Sequence, residues 1–266
     1  MSLSANRLTC FVANRLVALS AGISQVVGYP INVAWLLRRV GILAGKKVRF
    51  YGESIGRDIV IADDVLVAEG VRISSSVVLH KGAQVHKDTT LGQGVIIKEH
   101  SIVCARCILE RISLGGYSMI CSEVLCLGHG KGQIKIGSHS YIGPRCLLDW
   151  SDDLLIGDFV HVSGPCTAFW THSSVYQALH GDPLDERRRR TTAPLIIENN
   201  VYIGGNCTIY PGLRIGHHSI ILPNSAVNQD VPSWCMVGGV PARIIRRLDP
   251  EMESEDEGEG ASADHV

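Results

Sequence analysis

The stretch LIIENNVYIGGNCTIYPGLRIGHHSIILPNSAVNQDVPSWCMVGGVPARIIRR, residues 195–247, sets an aliphatic residue at every sixth position: Ile197, Ile203, Ile209, Ile215, Ile221 and Val227. Glycine follows the anchor at Gly204 and Gly216. A period of six is neither the period of a helix nor the alternation of a lone strand. It is the period of a hexapeptide solenoid, in which each hexad makes one short strand and one corner, and three hexads close one coil of a triangular prism.

The same frame extends upstream through Ile55, Ile61, Val67, Ile73, Leu79, Val85, Leu91, Ile97, Val103 and Leu109. With about a third of positions aliphatic, ten consecutive matches would arise by chance on the order of once in 10⁵. Two residues before each next anchor stand small or β-branched side chains such as Val65, Val71, Val77, Ala83, Thr89, Val95, Ser101 and Cys107. On a strand both positions face the same side, so the pair fills a narrow interior. About eight coils, ~4.8 Å apart, give a prism roughly 40 Å long.

The frame slips by one residue at Leu114-Gly115-Gly116 and resumes at Ile120. It is interrupted at Gly128–Gly132, at Asp149–Asp153 and, longest, over residues 173–194. Interruptions in a solenoid map to corner loops, where function concentrates. A structureless excursion as long as the last is either functional or disordered.

Residues 1–45 differ in texture. Leu16 to Leu37 is uncharged over 22 residues, between Arg15 and the pair Arg38-Arg39. That length suits a membrane span, but Ser20, Gly22, Ser24, Gln25, Gly28, Pro30 and Asn32 interrupt it, and Tyr29-Pro30 reads as a turn between two shorter helices. Three readings stand: a transmembrane helix, helices lying on a membrane surface, or helices packed on the prism or a neighbouring subunit. The prism is then 46–247, followed by an acidic tail at 248–266.

The formal net charge of −1 hides an asymmetry. The tail from Asp249 holds eight acids and no Lys or Arg; without them, 18 acids face 25 Lys and Arg, so the body carries +7. A basic body suits anionic ligands such as coenzyme A, sugar nucleotides or a phospholipid surface, or is simply solvated. Arg187-Arg188-Arg189-Arg190 in the long loop has the same two readings. The tail's composition predicts disorder.

Nine cysteines is an odd count, without a convincing secretory signal, and implies a reduced, cytoplasmic protein. Cys107, Cys146, Cys166 and Cys207 sit where the repeat takes small residues, so packing accounts for them. Cys104-x-x-Cys107 reads as two repeat residues. His80, His86, His100, His139, His161, His217 and His218 occupy outward-facing positions, and no metal is expected.

Trp170-Thr-His172-Ser173, Pro194-Leu-Ile-Ile-Glu-Asn-Asn-Val-Tyr-Ile-Gly204, Tyr210-Pro-Gly-Leu-Arg-Ile-Gly216, Asp230-Val-Pro232 and Gly239-Val-Pro-Ala-Arg243-Ile-Ile-Arg246 together resemble the left-handed β-helix acyltransferases. Within them the resemblance is to sugar O-acetyltransferases of the galactoside and maltose type and those that decorate capsule, O-antigen or exopolysaccharide. It is specific over residues 136–247 and architectural upstream. It implies an all-β, left-handed parallel β-helix, a homotrimer, and acetyl-CoA as acyl donor in a groove between neighbouring prisms. His172 takes the place of the family's general base, because a sugar hydroxyl needs an imidazole to accept its proton. Arg243 and Arg246 match the basic positions of the closing segment that grips phosphate, and Gly205 and Pro223 match positions whose backbone lines the pantetheine arm. Asn228-Gln229 stands where the family often has Thr-Lys. The acceptor-side Asn of galactoside enzymes aligns near Gly143, which argues against a simple galactoside. Asp149 and Trp150 offer a sugar ring a carboxylate and a stacking face, or form a plain corner loop.

The resemblance thus implies O-acetylation of a sugar hydroxyl in polysaccharide, O-antigen or capsule assembly, with no nucleic-acid partner, in the cytoplasm or peripheral to the inner membrane. N-acetylation of a nucleotide-linked amino sugar and a catalytically silent scaffold are the alternatives.

Overall fold

The computed structural model describes residues 42–54, 56–183, 190–248 and 250. The uncharged run at 16–37, Arg187–Arg189 and the acidic tail beyond Leu248 lie outside the described residues, apart from Pro250. The described chain is an all-β parallel solenoid with three faces of nine, eleven and nine strands. It is the left-handed β-helix that the hexads imply. The first strand, Ile42–Ala44, begins four residues before the boundary read from the sequence.

Apart from the antiparallel pair at 172–173 and 191–192, each strand of the coils from Ile42 to Val227 pairs in parallel with the strand one coil away, as Ile96 does with Val78 on one side and Ser113 on the other. Anchors therefore stack on anchors. Leu79, Ile97, Leu114 and Ile136 form one interior column, all buried. Interior hydroxyls find carbonyl acceptors, mostly on the neighbouring coil: Ser101 donates to the Gly115 carbonyl at 2.6 Å and Ser118 to that of Gly137 at 2.9 Å. A buried hydroxyl so paired avoids the desolvation cost of an orphan donor. Because the core column has no slack, Ile97→Val should cost about 0.5–1.5 kcal/mol by losing one methylene, read as a lower denaturant midpoint at unchanged slope.

We call the first face the one holding Ile59–Ile61, the second the one holding Leu66–Val67 and the third the one holding Arg72–Ile73. All three long interruptions fall on one edge, between the third and first faces: after Leu125–Leu127, after Leu147–Asp149 and after Ala168–Phe169. The expected structureless excursion at 173–194 is partly ordered. His172–Ser173 pairs antiparallel with Thr191–Thr192, closing the base of the loop, and Val175–Leu179 forms a short helix.

The cysteine reading needs one correction. Cys107, Cys146 and Cys207 are buried, but Cys166 is exposed, because it takes the left-handed corner conformation at φ 64° and Thr167 fills the interior instead. None of the seven histidines read as outward-facing is buried. Several stack along the edge between the first and second faces, His100 on Tyr117 at 5.2 Å, Tyr117 on His139 at 5.4 Å and His139 on Phe159 at 4.9 Å.

Candidate active site

Stacking three corner loops on one edge brings residues from distant hexads together. Loop 128–133 lies directly on loop 150–153: a Cβ on Gly130 would overlap the Ser151 carbonyl, so only glycine allows this approach. The next contact is upward. The Asp152 amide donates to Thr171 Oγ1 at 3.0 Å and the Thr171 hydroxyl donates to the Asp149 carbonyl at 3.1 Å.

At the centre of this stack is Asp149. Its Oδ1 accepts the Ser151 N–H at 2.9 Å; its Oδ2 accepts the Thr171 N–H at 2.9 Å and lies 2.5 Å from His172 Nδ1. Burial by itself would push this carboxyl up, but hydrogen bonds from the Ser151 and Thr171 amides, the Ser151 side chain and His172 outweigh it and hold Asp149 below the usual carboxylate range. An ionised carboxylate only accepts, so Nδ1 of His172 must carry the proton it donates. The neutral ring then presents Nε2 as an acceptor, the form a general base requires. The His172 side chain is 14% exposed, enough to be reached and little enough to be held. Trp170 packs edge-on against it, with ring centroids 5.6 Å apart, and Ser151 Oγ lies 3.2 Å from Nδ1.

The acceptor-side expectation is therefore corrected for Asp149. It is completely buried and its oxygens face protein donors, so it orients His172 and offers nothing to a bound sugar. Trp150, half-buried in the same loop, has the Arg111 guanidinium 5.0 Å from its ring centroid, which occupies one of the faces a sugar would stack on. Ser151 and Thr171 were missed as supports. Thr171 was visible only as the residue before His172, and nothing in the repeat marks Ser151.

The residues assigned to the donor separate in space. Gly205 and Pro223 lie on the edge between the second and third faces, where Gly164 and Gly205 meet so closely that a Cβ on either would collide with the other's backbone. This leaves a strip bare of side chains. Arg243 joins it, because Arg243–Arg247 folds back antiparallel on Cys235–Gly238 with Arg243 opposite Gly238, and the Ala242 amide donates to the Ala226 carbonyl. Arg246 stands opposite Met236, roughly 10 Å further along its strand and away from that edge. Both arginines are exposed. His172 is on a different edge, across the full width of the third face from Gly205. A hollow of about 410 Å³ lined by Glu198, Asn200, His217 and His218 opens on the remaining edge and touches neither group.

Among the described residues, no three His, Cys, Asp or Glu side chains gather to hold a metal ion. Three of the buried thiols are poorly placed to act as nucleophiles. Burial pushes Cys107, Cys126 and Cys146 up to about 12. Brief native alkylation near neutral pH should mark the exposed Cys166 well before these three, as read by peptide mass spectrometry.

The family model for the bacterial transferase hexapeptide, six repeats, matches residues 194–229, the stretch with the strictest period. A hexapeptide-repeat acetyltransferase of Vibrio cholerae O1 biovar eltor, crystallised with acetyl coenzyme A, is 32% identical, with 64% of this chain and 72% of that one covered and a TM-score of 0.35. This chain belongs to the hexapeptide-repeat transferase family. The galactoside O-acetyltransferase of Escherichia coli K12 is 32% identical over 115 residues, which is 43% of this chain and 54% of that enzyme. The 2,3,4,5-tetrahydropyridine-2,6-dicarboxylate N-acetyltransferase of Enterococcus faecalis is 37% identical over 67 residues, which is 25% of this chain and 29% of that enzyme. The chain thus spans about a third to a half of the length of these two curated relatives.

Proposed function

We propose that this hexapeptide-repeat protein is an acetyl-CoA-dependent O-acetyltransferase acting on a sugar hydroxyl in polysaccharide, O-antigen or capsule assembly. The observation that carries the proposal is the Asp149–His172 pair at the mouth of the long loop. Acetyl-CoA supplies the acyl group as a thioester. His172 Nε2 takes the proton of the acceptor hydroxyl as the oxygen attacks the thioester carbonyl; the proton then passes to the departing sulfur, and the ring returns to its neutral form. Asp149 stabilises the imidazolium formed between these events and keeps the ring from rotating. Gly164, Gly205 and Pro223 provide a flat backbone track for an extended arm, and Arg243 a cation for phosphate at its end.

Assembly as a homotrimer belongs to the same proposal. Base and donor track lie on different edges of one prism, so a site that uses both draws His172 from one chain and Gly205, Pro223 and Arg243 from its neighbour. The chain's likeness to galactoside O-acetyltransferase supports the hydroxyl acceptor. A second reading, transfer to an amine, is favoured by the likeness to the Enterococcus N-acetyltransferase. The test is thiol release from acetyl-CoA with a panel of sugars and amino sugars. An ester product is cleaved by mild alkali and an amide is not. Absence of thiol release with every acceptor, together with no acetyl-CoA binding by calorimetry, would reject the enzyme reading.

A further inference from the structure

The outer surfaces of the three faces differ over the first four coils. On the first face the outward residues stack as Leu43 on Val60, Val60 on Val78 and Val78 on Ile96, an unbroken apolar column. Leu43 is 65% and Val60 38% exposed. The column then stops, because Ile96 is followed by Ser113 and Ser113 by Lys135. The second face instead opens with Arg49, Leu66 and Gln84, and the third with Glu53, Arg72 and Thr90. One patch of one face, at the amino-terminal end of the prism, is thus wholly apolar where the corresponding patches are mixed or charged. Isolated exposed aliphatic residues need no explanation, but a contiguous column confined to one end of one face does.

We infer that this column is the docking site of the chain's own uncharged segment, Leu16 to Leu37. The segment offers Leu16, Val17, Leu19, Ile23, Val26, Val27, Ile31, Val33, Trp35, Leu36 and Leu37 without a single charge across 22 residues. It ends only four residues before Ile42, and Leu43 is the first member of the column. Five Cα steps from Leu37 to Ile42 reach at most about 17 Å. The column, three strand spacings of ~4.8 Å, is about 14 Å long. A helix of about ten residues would cover that length, and the 13 residues from Leu16 to Gly28, before Tyr29-Pro30, suffice for one. So short a tether holds the segment at an effective concentration in the millimolar range beside this patch and out of reach of the far coils. Covering the column removes apolar surface on both partners from water, whereas the amino-terminal ends of the second and third faces, with Arg49, Glu53 and Arg72, would bury unpaired ions.

Hydrogen–deuterium exchange on the full-length chain without lipid tests this. Amides within 16–37 should exchange at least tenfold more slowly than an unstructured peptide of that sequence. The surface variant Val60→Glu with Val78→Glu should return them to near the unstructured rate, while peptides from 195–227 stay as protected as before, showing an intact prism. Val60→Thr, compatible with the strand, should give an intermediate rate. Fast exchange of 16–37 in the unmodified chain, protection that the double variant leaves unchanged, or protection that develops only when phosphatidylglycerol–phosphatidylcholine vesicles are added would each overturn the inference. The last outcome would assign the segment to a membrane surface.

Discussion

His172→Ala should slow turnover by about 10²–10⁴ while leaving the Kd for acetyl-CoA within a few fold. The thioester is already activated, so binding and orientation retain part of the rate without a base. Arg243→Ala should do the reverse, weakening acetyl-CoA binding with a smaller effect at saturation, because the proposed role of Arg243 is a phosphate contact remote from the chemistry. The two variants together test the arrangement between chains. Within one prism the base and the donor track are on different edges, so if each site is built from two neighbours, co-refolding the inactive His172→Ala chain with the Arg243→Ala chain yields some sites that contain both native residues. At acetyl-CoA concentrations well below the Kd of the Arg243→Ala chain, activity should rise above that of either variant alone. No recovery on mixing, with mixed assembly verified by mass spectrometry, would mean that a single chain completes its own site. Near-normal turnover by His172→Ala would remove it as the base.

The fold was legible because its determinant is periodic. Ten anchors from Ile55 to Leu109 repeat without a gap, and any register other than the buried column would turn Ile97 or Leu91 out to solvent. The corner loops were legible as breaks in that period, but not their stacking on one edge, which follows only from counting strands face by face. The place of His172 at the mouth of the long loop could be read from its flanking residues. Its orienting partner could not, because the contact joins Asp149 to a residue 23 positions away in the next coil. A carboxylate in a corner loop looks solvent-facing in the sequence, and it is the burial by Ser151 and Thr171 that reverses its meaning. Cys166 failed for a related reason: a one-residue lengthening of the corner, invisible in composition, moved the interior position to Thr167.

Asp149 provides the sharpest separation of catalysis from structure. Asp149→Asn keeps the shape but replaces one acceptor oxygen by an NH₂ donor. To face that donor, His172 must present Nδ1 as an acceptor and carry its proton on Nε2, where the substrate's proton should arrive. Turnover should fall on the order of 10³–10⁴ with little change in acetyl-CoA affinity. Asp149→Ala should in addition destabilise the prism by about 3–5 kcal/mol, because it strands the Ser151 and Thr171 amides and His172 without their shared acceptor in a buried site. The pH dependence fixes the mechanism of that stabilisation. The folded carboxyl titrates below its ordinary value, so its contribution is full above that value and disappears as pH falls through the depressed one. The stability gap between the native chain and Asp149→Asn should therefore be constant above about pH 5 and narrow below about pH 4. Denaturant midpoints across that range measure it. A gap that widens on acidification would mean that Asp149 is held protonated in the folded chain, and His172 would then lack the anion that orients it.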